Sequence, residues 1–139
     1  MLTAAASIAI TCAVFFYTTR RQRQFLQSSN LQTVALTSQT QPNARGQVLW
    51  DRDHSQWHVT FFNLTPPPPG KEYELWFIPP GGKPMRSKTF TVDENGHESL
   101  IVDLPRNIGP IAAAAVTLEK QGGSDTPTMP IQLVGNVPG

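Results

Sequence analysis

A chain of 139 residues with a formal charge of +1 has room for one domain and an appendage. From Ala44 onward 8 basic residues stand against 10 acidic ones, a balance that makes a poor nucleic-acid surface. The single cysteine, Cys12, excludes an intrachain disulfide and a cysteine-built zinc site.

Residues 2–19 carry no charge and are rich in Ala, Ile, Val and Phe up to Tyr17, after which Arg20, Arg21 and Arg23 follow at once. A helix of that length spans roughly 28 Å against a hydrocarbon thickness of ~30 Å, so residues 1–19 are expected to cross a lipid bilayer. The arginines then lie beside lipid headgroups. A cleaved signal peptide or a buried core helix is the alternative, although no basic stretch precedes the apolar run and no small-x-small site follows it. Residues 20–43 are expected to be a juxtamembrane linker. Phe25, Leu26, Leu31 and Val34 fall at roughly helical spacing, extending the helix until it frays into a polar stretch at 37–43. A short amphipathic helix packed on the domain is the alternative.

Residues 44–139 are expected to form an all-β domain, an antiparallel β-sandwich of about seven strands. The strand candidates are 47–51, 56–64, 73–78, 85–92, 98–104, 112–120 and 130–134, separated by Pro, Gly and Asn turns. Asn95-Gly96 suits a hairpin turn that needs positive φ, and Pro66 to Pro69 form a stiff extended connection rather than a ligand for proline-recognising modules. Alternation points Trp57, Val59, Phe61, Leu100, Val102, Leu104, Val116 and Leu118 inward, with Phe90 and Val92 as further core candidates. The strand from Tyr73 has two apolar faces, Tyr73, Leu75 and Phe77 on one and Trp76 and Ile78 beside Glu74 on the other. One face belongs in the core; the other needs a cover, whether the linker, a partner or another copy.

No chemistry-bearing constellation emerges. Asp51, Asp53, His54 and His58 resemble a metal cluster on paper, but four residues of strand separate the two histidines by roughly 13 Å, and a polar hairpin tip is expected. His97 reads as a turn residue, and the segment from Asp93 to Gly96 lacks the later acidic ligand of a calcium loop. Ser124 follows two glycines without the strand-turn-helix of a nucleophile elbow, and no phosphate-cradling loop is present. No enzyme activity, cofactor or metal is expected. Glu119 ends its strand beside Gly122-Gly123-Ser124, where it is expected to accept two backbone N–H groups from the turn, with Gly123 at positive φ.

The order of motifs carries more than any one of them. Trp50 closes the run Ala44-Arg45-Gly46-Gln47-Val48-Leu49-Trp50; Tyr73-Glu74-Leu75-Trp76 follows the prolines; then come Gly82-Lys83-Pro84, Asp93-Glu94-Asn95-Gly96, and Val116-Thr117-Leu118-Glu119 running into Gly122-Gly123-Ser124 and Pro127-Thr128, with Pro130 to Gly135 at the end. This succession resembles the C-terminal domain of the anti-sigma-K factor family, with Lys120-Gln121 and Ser87-Lys88 departing from its usual residues. The resemblance implies a bacterial single-pass membrane protein whose β-domain lies outside the membrane while a cytoplasmic region holds a sigma factor. Membrane proteases are implied too, the first cut falling between Arg20 and Asn43 and the second within the helix. A sigma-binding region with its His/Cys zinc motif is not in this sequence, which is read either as a fragment or as a variant without it. The positive-inside rule argues the other way, since Arg20, Arg21 and Arg23 would place the β-domain in the cytoplasm. The rival reading is a membrane-anchored adhesion or ligand-binding sandwich without a transcriptional role.

Overall fold

The computed structural model describes residues 17, 19, 20, 23 and 27–139. Tyr17, Thr19, Arg20 and Arg23 are helical; the rest of the expected transmembrane stretch, Cys12 included, lies outside the described residues. Among the described residues no helix is long and apolar enough to cross a membrane.

The domain is all-β and antiparallel. Its strands are β1 (Leu31–Thr37), β2 (Arg45–Asp51), β3 (Gln56–Phe62), β4 (Lys71–Ile78), β5 (Met85–Phe90), β6 (Glu98–Asp103), β7 (Ala113–Lys120) and β8 (Leu133–Asn136). They form one sheet in the order β5-β4-β7-β8-β1-β2-β3-β6, and the two edge strands β5 and β6 touch, so the sheet rolls almost into a barrel.

Two expectations need correction, and they share one cause. Residues 31–37 are a strand rather than helix running into linker, and the sheet is a single one of eight strands rather than two sheets sharing about seven. Without β1 the order falls into two groups, β5-β4-β7-β8 and β2-β3-β6, which pack face to face as a sandwich would. Trp57 of β3 meets Phe77 of β4 edge-on at 4.8 Å between centroids, and Phe61 of β3 stacks on Phe90 of β5 at 4.3 Å. β1 joins the groups, pairing with β2 from Leu31↔Asp51 to Thr37↔Arg45 and with β8 at Thr37↔Val134. Only Val34 and Leu36 of β1 enter the core, while Leu31, Thr33, Ala35 and Thr37 face solvent. Burying such a side chain stabilises by about 1.5 to 3 kcal/mol, so two suffice to hold a strand whose hydrogen bonds are supplied by neighbours. Two apolar positions among polar ones look like a linker in sequence.

The junction of β1 and β8 requires a glycine. A Cβ on Gly135 would lie 2.2 Å from the Ala35 carbonyl oxygen, so no side chain fits between the strands there. The core combines Val34, Leu36, Val48, Val59, Leu75, Val116 and Leu133 with the aromatic rings. At the turn after β3, Tyr73 donates its hydroxyl to the Thr65 carbonyl at 2.5 Å, while Gln41 bridges Thr65 N, Tyr73 and Gln132. Burial pushes the Tyr73 phenol above its ordinary pKa, partly offset by the hydrogen bond from Gln41.

Candidate functional site: a strap on the outer face of β4 and β7

The two-faced strand is β4, and its register with β7 decides what the second face contains. Glu72, Glu74 and Trp76 lie opposite Glu119, Thr117 and Ala115, all on the face turned away from Tyr73, Leu75 and Phe77. The chain leaving β7 folds back over this face before entering β8. Residues 121–132 therefore act as a strap, and the cover belongs to the chain itself.

Two buried carboxylates hold the strap. Glu119, 1% exposed, accepts hydrogen bonds from the Thr117 hydroxyl, from Thr128 N at 2.7 Å and from Thr128 Oγ1 at 2.6 Å. The Thr117 hydroxyl in turn accepts the Trp76 indole N–H at 2.8 Å, so Trp76, Thr117, Glu119 and Thr128 form one hydrogen-bonded chain. Burial pushes the Glu119 carboxyl up, but the bonds from Thr117, Thr128 and Ser124 outweigh it and hold the group below its ordinary pKa. Glu74, also 1% exposed, accepts Arg86 Nε at 2.7 Å on one oxygen and Ser124 N at 2.8 Å on the other. Arg86 reaches on to the Gly122 carbonyl at 2.8 Å and lies 3.5 Å from Asp125, while Gly122 N donates to Glu72 at 2.6 Å. The contact with Glu74 raises the Arg86 pKa further.

The turn's backbone amides thus go to Glu72 and Glu74, not to Glu119 as the sequence suggests. Glu119 instead takes the far end of the strap at Thr128. Gly122 and Gly123 both have positive φ, +91° and +84°. At Gly123 a Cβ would also lie 2.4 Å from Arg86 Nη2 and 2.8 Å from each Glu74 oxygen, so the backbone must come close enough for its neighbour Ser124 to reach the carboxylate. Pro127 is half-buried in the strap beside Thr128. Arg86 carried no signal in sequence, being one polar position in an alternating strand.

At the opposite end of the sheet lies the turn between β2 and β3. Asp51, 1% exposed, accepts from Ser28 Oγ at 2.7 Å, from His54 N at 3.1 Å and shares a 2.8 Å contact with His54 Nδ1. Burial pushes its carboxyl up, and the bonds from Ser28 and His54 bring it below the ordinary range. Asp53 accepts from Ser29 N at 3.0 Å and from the Ser28 and Ser29 hydroxyls, and Arg52 N donates to the Asn30 carbonyl at 3.1 Å. The Arg52 guanidinium lies 4.1 Å from the Trp50 ring and bonds Gln32, which bonds Pro138 O at 3.0 Å. His58 stands apart on β3 between Leu49 and Ile101. Among the described residues no three His, Cys, Asp or Glu converge as a metal site. A shallow groove beside β3 and β6 is lined by Phe62, Asp93, His97 and Glu98, with His97 edge-on to Phe62 at 5.6 Å.

Glu74, Trp76, Thr117, Glu119, the glycine turn and Thr128 belong to the sequence motifs, Arg86 does not, and all of them fall within the match found by comparison with protein families. The family described as "Anti-sigma-K factor rskA, C-terminal" matches residues 1–131. The chain belongs to this family. No curated protein and no solved structure matches it. Membership in an anti-sigma factor family assigns a regulatory role and a sigma factor as the partner class.

Proposed function

We propose that this chain is the extracytoplasmic part of a membrane-anchored anti-sigma factor, together with its single membrane helix, and that it controls sigma-factor release through regulated proteolysis. The observation that carries this reading is the family match over residues 1–131, which takes in the apolar stretch and the β-domain as one unit. The geometry supports it. The strap's carboxylates are occupied by donors from the same chain, which suits a domain whose output is its own folded state rather than chemistry on a substrate. The chain enters the sheet at Leu31, soon after the arginine-flanked apolar run, a short separation that suits a domain whose folded state governs cutting near the helix. In this reading the sigma factor is held on the other side of the bilayer, membrane proteases cut near the helix, and the arginines contact lipid headgroups.

Orientation is the decisive test, because the arginines argue against it. Alkaline phosphatase and a fluorescent protein fused in parallel to the C-terminus, in bacterial cells, separate the two topologies. The expected result is an active phosphatase and a dark fluorescent fusion. A fluorescent, phosphatase-inactive pair would place the domain in the cytoplasm and overturn the reading.

A further inference from the structure

We infer that the first cut in this release falls within residues 27–30, and that Asp51 and Asp53 form a latch withholding that stretch from a protease; the inference rests on the regulated-proteolysis reading. A protease binds its substrate as an extended segment, pairing with free backbone N–H and C=O groups. In 27–30 two of those groups are engaged, and a side chain pins the stretch beside them. Ser29 N–H donates to Asp53, the Asn30 carbonyl accepts from Arg52 N, and the Ser28 hydroxyl bonds Asp51 and Asp53.

The stretches that follow are worse targets. Residues 31–37 are paired along β2, so cutting them requires the strand to leave the sheet. Residues 38–43 are folded into a turn in which Ser38 Oγ accepts from Thr40 N and Gln41 N, and Gln41 is bound to Thr65, Tyr73 and Gln132. A cut there would also leave β1 in the sheet and still joined to the helix, so the two products would stay together. A cut within 27–30 separates the intact domain from the helix. The reaction is hydrolysis: one water is consumed, the amide C–N bond breaks, and a carboxylate and an amine are left.

The latch is built to open alone. Asp53 and Ser29 are exposed, and none of the core side chains has to move when Ser28, Ser29 and Asn30 let go. Local opening of this kind sets the cutting rate when reclosure is fast.

The full chain in detergent micelles, treated with a sequence-tolerant protease such as subtilisin, tests this directly, with fragments identified by mass spectrometry. The variants are Asp53→Asn, the double change Ser28→Ala with Asp53→Asn, and Asp125→Asn on the strap as a control; each is also melted thermally. Cleavage within 27–30 is expected to accelerate on the order of ten-fold in Asp53→Asn and further in the double variant, with the melting temperature of Asp53→Asn unchanged and the control like the parent. Equal rates in all four proteins would overturn the latch, as would a first cut outside 27–30 in the latch variants. A generic protease is used, so this outcome is independent of the sigma-factor reading, which fails or stands on the topology experiment.

Discussion

Glu74 and Glu119 at the strap, and Asp51 and Asp53 at the β2–β3 turn, all fasten a passing segment of chain by accepting its hydrogen bonds. Glu74 and Glu119 are both buried and sit, with the half-buried Glu72, on the outer face of two strands paired along their whole length. At the turn one acceptor is buried and the other is in solvent. A buried acceptor left without its donor keeps its desolvation penalty, whereas an exposed one turns to water. The same chemical device therefore makes a permanent fastening at one end of the sheet and a releasable one at the other.

The sharpest way to break the strap is Gly123→Ala. The new Cβ would meet Arg86 Nη2 and both oxygens of Glu74, on backbone at φ +84°, and Glu74 is buried and cannot retreat. A loss of about 2 to 4 kcal/mol is expected in denaturant melts. Asn95→Ala, in an exposed turn, is the comparison and should change little. Next comes Glu119→Ala, which strands the Thr128 amide and the hydroxyls of Thr117 and Thr128, for an expected cost of about 1 to 3 kcal/mol. A change within about 0.5 kcal/mol, as for an ordinary surface substitution, would show that the strap does not depend on Glu119.

The two regions differ equally in how legible they were. The strap residues announce themselves. In Tyr73-Glu74-Leu75-Trp76 and Val116-Thr117-Leu118-Glu119, alternation sends one set of side chains to the core and leaves Glu74, Trp76, Thr117 and Glu119 sharing the other face. Glycines mark the turn. What sequence withheld was the pairing: register sets Glu72 opposite Glu119 and Glu74 opposite Thr117, which hands the glycine turn to Glu72 and Glu74 and Thr128 to Glu119. Arg86 was invisible because its partner lies on another strand. The latch was harder still. Ser28 and Ser29 look like linker composition, and β1 shows only Val34 and Leu36 to the core, too few to impose a period. Its strand character comes from β2 and β8, which local sequence does not contain.

Acid should loosen both fastenings. Glu119 and Asp51 both have folded pKa values below their ordinary ones, 4.5 and 3.8. A depressed carboxylate contributes stability that is fully present above the ordinary value and is lost as pH falls through the folded one. The thermal midpoint is therefore expected to hold from pH 7 to about 5 and then fall. Glu119→Gln should lower the midpoint at neutral pH and flatten this acid limb, so that variant and parent approach each other near pH 3. Parallel curves displaced by a constant amount would assign the acid loss to other carboxylates.

The smallest effect on stability is expected at Asp53, and for that reason it discriminates best. Its carboxylate is exposed and serves Ser28 and Ser29, which lie before β1 and outside the core, so Asp53→Asn should stay within about 0.5 kcal/mol of the parent in a denaturant melt. Hydrogen exchange at the Ser29 amide should nevertheless quicken, because that N–H loses a charged acceptor, while exchange within β7 and β4 stays as it was. A variant that lost as much stability as Glu119→Ala would mean that the turn and the core open together. The end of the sheet next to the helix would then be fastened as permanently as the strap, and no cut could fall there without unfolding the domain.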